Sequence, residues 1–248
     1  PVLSGCLRNV THILARGRSD YENFVGYGAN PQIVTELGNI KFAKPPLVPA
    51  SKTIPLPPKP YVLAASTHAD EEFRLAKIWA ALDRKDHLLV IVPRYPERRG
   101  PIMKQLAGLP LNVTVRSRGG NPDEHCDVFL VDTLGELNAF MTGAALVFMG
   151  GSLIPRGGQN LLEPARLGKA VVTGPHTFTF NAEVTELLAN EALIQVKDDI
   201  QLQETLLELL NNPEKIRKLG DNAKALMESR QHIAEDYMQT LKKLGAFL

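Results

Sequence analysis

The stretch ALVFMGGSLIPRGGQNLLEPARLGKAVVTG, residues 145–174, contains two short apolar runs separated by a glycine-rich loop and a short amphipathic segment. ALVFMG and AVVTG are apolar at nearly every position, the pattern of parallel strands covered on both faces. LLEPARL, between them, has the spacing and composition of a short helix. Strand, loop, helix and strand make one βαβ unit, and the fold depends on whether the chain repeats it.

From residue 61 onward it does. YVLAAS (61–66), LLVIVP (88–93), NVTVRS (112–117), DVFLVD (127–132) and ALIQV (192–196) supply further strands. Helical segments are predicted near 69–83, 97–106, 136–143, 161–167, 181–190 and 200–211, with two or three more in 213–245. Alternation of this kind predicts an α/β domain with a doubly wound parallel sheet, here over residues 61–248. Residues 43–60 hold seven of the 18 prolines, which marks a linker of extended backbone. Ahead of it, THILAR (11–16) and QIVTELGN (32–39) read as strands. They flank a helix over SDYENFVGYGA (19–29), capped by Ser19 and closed by Gly26 or Gly28. Residues 1–42 therefore read as a single βαβ piece, too small to bury both faces of its own sheet. The final helix, near 231–245, is a candidate to pack back across the missing remainder of that first domain.

Composition narrows the function. With 28 Lys and Arg against 27 Asp and Glu, the formal charge is +1, which gives no strong net field for nucleic acid. Cys6 and Cys126 stand far apart and form no disulfide framework or metal-ligand pair. No apolar run reaches the roughly 18 residues that would span a bilayer. Histidines 68, 87, 125 and 176 show no i, i+4 pairing, and neither Asp-x-Asp nor G-x-S-x-G occurs. G-x-G-x-x-G and a Walker lysine loop are missing as well.

In open α/β sheets ligands bind beyond the carboxyl ends of the strands, where this chain carries its unusual loops. Asn160 followed by Glu163 matches a capping box, in which both side chains serve backbone amides. Gly150, Gly151, Gly157 and Gly158 add what a cap does not need: close backbone approach and positive φ. Arg94, between Pro93 and Tyr95 at a strand end, can present its fork to an anion, whereas Arg98 and Arg99 read as a solvated helix start. Ser66 or Thr67 reads as a helix cap, with His68 a partly exposed neighbour.

GNIKF (38–42), ASTH (65–68), VPRYPER (92–98), VDTLGEL (131–137) and FMGGSLIPRGGQNLLEPARLGKAVVTGPHTFTF (148–180), in that order, resemble the 3-deoxy-D-manno-octulosonic acid (Kdo) transferases of lipopolysaccharide assembly. The resemblance implies a Rossmann-like glycosyltransferase of GT-B type that moves Kdo from CMP-Kdo to a lipid A precursor at the cytoplasmic face of a Gram-negative inner membrane. It implies that this chain is the donor-binding half, residues 61–248, with 1–42 the end of the acceptor domain. The membrane anchor and a glutamate general base are then expected in the missing first domain, so the chain alone is expected to be soluble and inactive.

Matching motifs carry roles to particular positions. Pro93 and Arg94 would contact the cytidine nucleotide, Leu134, Gly135 and Glu136 would form a loop holding CMP, and Asn160, Leu161, Leu162 and Glu163 would close on it. Glu163 would accept hydrogen bonds from ribose hydroxyls, and Lys41 would stabilise charge as the bond to phosphate breaks. Ser66 would assist the leaving group, and the backbone at Gly151 and Ser152 would admit the nucleotide. Tyr95 departs from the pattern, since the family usually carries His there. No metal or cofactor is implied, and inversion at the anomeric carbon is expected. Two other readings are a UDP-sugar transferase or epimerase, and a noncatalytic nucleotide-binding module.

Overall fold

The structure, a computed structural model, describes residues 2–43, 54–84 and 86–246. The chain divides into two compact units, Pro1–Val48 with Met227–Leu248, and Pro49–Leu226. Of the expected linker at 43–60, residues 44–53 lie outside the described residues, and 54–60 form no helix or strand.

In the smaller unit, α1 (Val2–Leu7) precedes β1 (Ile13–Ala15), α2 (Arg18–Gly26) and β2 (Val34–Glu36). The two strands pair in parallel, Ile13 opposite Val34, as the βαβ reading requires. Leu7, Ile13, Ala15, Ala29 and Val34 form its small core. Ser19 does not cap α2: the helix begins one residue earlier, with Gly17 in the cap position and no side-chain cap. Ion pairs Arg16–Asp20 and Arg18–Glu22, each four residues apart, support its first turns instead.

The larger unit contains β3 (Tyr61–Thr67), α3 (Glu71–Ala81), β4 (Leu88–Pro93), α4 (Arg99–Leu106), β5 (Val113–Val115), β6 (Val128–Leu130), α5 (Leu137–Gly143), β7 (Leu146–Met149), α6 (Leu162–Arg166), β8 (Ala170–Thr173), α7 (Asn181–Ala189), β9 (Ile194–Gln195) and α8 (Asp199–Asn211). α9 (Pro213–Ser229) and α10 (Ile233–Lys243) follow. α10 falls in the smaller unit, where the Tyr237 hydroxyl donates to the Gly38 carbonyl at 2.9 Å. The division by contacts thus groups the last 22 residues with the first 48, whereas the 61–248 boundary kept them with the large sheet.

The seven strands of the large sheet run parallel in the order β5-β6-β4-β3-β7-β8-β9. Val62, Ala64, Leu89, Ile91, Val128, Leu130, Leu146, Phe148 and Val172 belong to one core cluster with Leu75 and Trp79 of α3, Ile102 of α4 and Leu202, Leu206 and Leu209 of α8. On the opposite face, Phe140 of α5 stands edge-on to Tyr61 and Phe129. Burial on both faces is the reason the strands read as unbroken apolar runs. From β3 the chain first moves to β4 on one side and only later to β7 on the other. The switch point of the strand order, where open sheets of this kind form their ligand crevice, therefore lies at the carboxyl ends of β3 and β7.

Candidate functional site

Three of the predicted loops converge at that crevice. The Arg94 amide donates to Thr67 O and the Gly150 amide to Ala65 O, both at 2.8 Å, so the ends of β4 and β7 are pinned to the end of β3. β3 bulges there, with Ser66 at φ +53°, a left-handed conformation that costs a non-glycine residue about 1 kcal/mol. Neither Ser66 nor Thr67 caps α3: the cap position is Asp70, without a side-chain cap, and Thr67 donates to Glu72.

The loop after β7 is built around a group the sequence did not single out. Glu71, completely buried, accepts from the amides of Gly151 at 2.7 Å and Ser152, Leu153 and His68 at 2.9 Å each. Ser152 is buried too: its hydroxyl donates to Met149 O at 2.6 Å and accepts from the Gly174 amide at 2.8 Å. The amides of Gly151 and Ser152 and the Ser152 hydroxyl are thus all bonded within the protein. Three of the four loop glycines adopt the expected positive φ, +68° at Gly151, +92° at Gly157 and +82° at Gly158, whereas Gly150 does not and is needed for close backbone approach alone.

His68 is buried, against the partly exposed position expected of it. Its ring lies edge-on to Tyr95 with centroids 5.6 Å apart, and its Nε2 is 3.1 Å from Gln159 Nε2. Burial pushes the imidazole below its ordinary value of 6.5, and nearby Arg156 lowers it further against the pull of Glu71. The Tyr95 phenol thus supplies the ring that packs on His68. Arg94 is exposed, its guanidinium 5.8 Å from the Tyr95 ring centroid, and no hydrogen-bond partner among the described residues holds it.

Asn160 and Glu163 meet, but not as a capping box. α6 begins at Leu162 with Leu161 in the cap position, so Asn160 stands one residue too early. Its Oδ1 accepts from the Leu162 amide at 3.1 Å, and its Nδ2 donates to Glu163 Oε1 at 2.9 Å. Leu161 and Leu162 are buried and anchor the turn, which leaves Glu163 exposed at the rim.

Leu134, Gly135 and Glu136 follow β6 on the same rim. Leu134 is 84% exposed and Gly135 has φ +82°. Arg116 forks onto the Glu136 carboxylate at 2.9 and 3.2 Å, Thr133 donates to it, and the pairing with Arg116 holds that carboxyl below its ordinary value. Arg98 is likewise engaged, 2.7 Å from the wholly buried Glu72, which overturns its solvated reading. Arg99 bonds Ser117 at 2.8 Å and remains substantially exposed. Lys41 lies in the smaller unit, in a 3₁₀ turn over Ile40–Phe42 capped by Asn39, and Phe42 there is buried. Among the described residues, no cluster of three His, Cys, Asp or Glu is placed to hold a metal, and no helix is long and apolar enough to cross a membrane.

A parallel sheet covered by helices on both faces, in this strand order, is the fold of a GT-B glycosyltransferase domain. A crystal structure of the C-terminal CMP-Kdo binding domain of WaaA from Acinetobacter baumannii is similar at 34% identity and TM-score 0.63, covering 68% of this chain and 89% of that one. Anabaena HepE, solved with UDP-glucose, has TM-score 0.57 at 14% identity, over 98% of this chain and 68% of that one, a likeness of fold alone. The 3-deoxy-D-manno-octulosonic acid transferase of Rickettsia felis is 30% identical over 247 residues, 96% of this chain and 52% of the relative. That of Haemophilus influenzae is 35% identical over 176 residues, 69% of this chain and 41% of the relative. No family model matches the chain. The chain belongs to the Kdo transferase family, and it spans about half the length of the Rickettsia relative.

Proposed function

We propose that this chain is the donor-binding part of a glycosyltransferase that moves Kdo from CMP-Kdo to a lipid A precursor, lipid IVA, with inversion at the anomeric carbon and without a metal. The observation that carries this reading is the likeness, at 34% identity, to a domain described as binding CMP-Kdo. Loss of CMP from a tertiary anomeric carbon leaves positive charge on the sugar and negative charge on the departing phosphate. Catalysis then rests on stabilising that phosphate and positioning the acceptor hydroxyl. Arg94 supplies a charged fork at the rim, Ser66 a hydroxyl beside it, and Glu163 a carboxylate suited to ribose hydroxyls. Pro93 stiffens the strand end that presents Arg94, and the exposed Leu134–Glu136 turn lies along the cytidine.

The general base that deprotonates the acceptor belongs to the acceptor side, in a part of the relatives that this chain does not match. Membrane association at the inner face belongs there as well. The rim built by the larger unit therefore serves the donor rather than deprotonation of the acceptor. Calorimetric titration with CMP, UMP and UDP tests the reading: CMP is expected to bind most tightly. UDP binding as tight as CMP would support a UDP-sugar enzyme instead, and Kdo transfer by the chain alone would refute the assignment of the base.

A further inference from the structure

The loop leaving β7 turns at Gly151 so that three successive amides, of Gly151, Ser152 and Leu153, face one point. Such a run of N–H groups is an anion-binding concavity. Here the anion is internal. Glu71 Oε1 takes the amides of Ser152 and Leu153, while Oε2 takes those of Gly151 and His68. Each oxygen is doubly bonded by donors, and the carboxylate joins the ends of β3 and β7. From His68 the connection continues through Gln159, next to Asn160, toward the turn that carries Glu163.

We propose that Glu71 is a positioning residue: its carboxylate fills the amide nest of the glycine-rich loop, holds that loop and His68 in register, and leaves the donor's phosphate to other groups on the rim. The clause about the donor rests on the function proposed above; the clamp itself rests on the four hydrogen bonds. A phosphate cannot enter the nest while the carboxylate occupies it, because no N–H of residues 151–153 is left to receive one. Nothing local marks Glu71 for this role, since an acidic residue in the first turn of a helix ordinarily faces solvent and complements the dipole.

The test removes the carboxylate and then returns it. Glu71→Ala in the 248-residue chain leaves converging donors around a space the size of a small carboxylate. CMP affinity is expected to fall about tenfold or more, as for loss of a network of charge-assisted hydrogen bonds. Formate is expected to restore both melting temperature and CMP affinity in Glu71→Ala, formamide neither, and formate to leave the wild-type chain unchanged. Glu71→Gln is expected to resemble the alanine variant, because its amide sets N–H against N–H. A role that needs only volume predicts the opposite: a wild-type Gln variant and no response to formate, which would overturn the proposal. If Glu71→Ala does not fold, hydrogen exchange in the wild-type chain decides: slow exchange at residues 151, 152 and 153 supports the clamp, and fast exchange there overturns it. Failure of the wild-type chain to bind CMP would count against the donor reading alone, since exchange and formate-dependent melting still decide the clamp.

Discussion

Gly150 crosses Ser66 so closely that a Cβ on the glycine would lie 2.7 Å from the Ser66 carbonyl oxygen and 2.7 Å from the Thr67 Cα. Both atoms are main chain and cannot turn aside, and this is where β3 and β7 diverge at the crevice. Gly150→Ala is expected to destabilise the chain by about 2 kcal/mol or more, through overpacking. Gly100→Ala, with nothing within 4 Å of the new methyl, is the control and should be neutral or slightly stabilising. Urea denaturation of the two variants measures the difference.

Arg94 and Glu163 are exposed rim groups, so their removal should affect binding before it affects folding. Arg94→Ala and Glu163→Gln are each expected to weaken CMP about tenfold, with melting temperature nearly unchanged. The Arg94 effect should shrink in high salt, as an exposed charge contact is screened. Calorimetry on both variants checks this, and unchanged CMP binding in both would place the nucleotide elsewhere.

Glu72 is wholly buried against Arg98, whose side chain remains 22% exposed. Arg98→Ala strands that carboxylate without its charged partner and is expected to cost about 3 kcal/mol. Adding Glu72→Gln should recover part of the loss, because a neutral amide tolerates burial better. A double-mutant cycle by chemical denaturation gives the coupling, and simple additivity would contradict it.

Arg116 holds the Glu136 carboxyl below its ordinary value of 4.5. A carboxyl depressed in the folded state contributes stability that is complete above 4.5 and disappears as pH falls through the depressed value. The stability difference between wild type and Glu136→Gln should therefore be largest near neutrality and shrink in acid. Denaturation midpoints of the two proteins from pH 7 down to about pH 3 provide the check.

His68 shifts downward because burial disfavours its charged form. Above 6.5 both folded and unfolded states hold it neutral; below 6.5 the unfolded state takes up the proton first, so stability drops as pH falls. His68→Gln is expected to flatten that limb of the stability profile. An unaltered slope between about pH 6.5 and 5 would assign it to other groups.

Much of the architecture was legible because each strand is buried on both faces and so carries its own apolar signature. YVLAAS and LLVIVP became β3 and β4 nearly residue for residue, and the helices of the larger unit from α3 to α8 lie within two residues of their predicted places. The pairing of Asn160 with Glu163 was visible as a spacing, although its form was not: a start one residue later turned an expected cap into a side-chain contact. Caps at Ser19 and at Ser66 or Thr67 failed for a related reason. A hydroxyl near a helix start is only one of several ways to begin it, and ion pairs or a bulge can take precedence.

By itself the sequence determined the alternation of strands and helices, the glycines where backbone must pass close, and the loops that gather at one rim. Those properties are local, written in apolar runs and in residues with unusual φ. Only the tertiary structure decided that Glu71 is an interior ligand rather than a solvated acid, that Arg98 is the partner of a buried carboxylate, and that Ser152 is bonded inward. Glu71 meets Gly151 across 80 residues of chain, and Arg98 meets Glu72 across 26. Which donors a carboxylate finds at such separations is set by strand order, and no local pattern encodes that order.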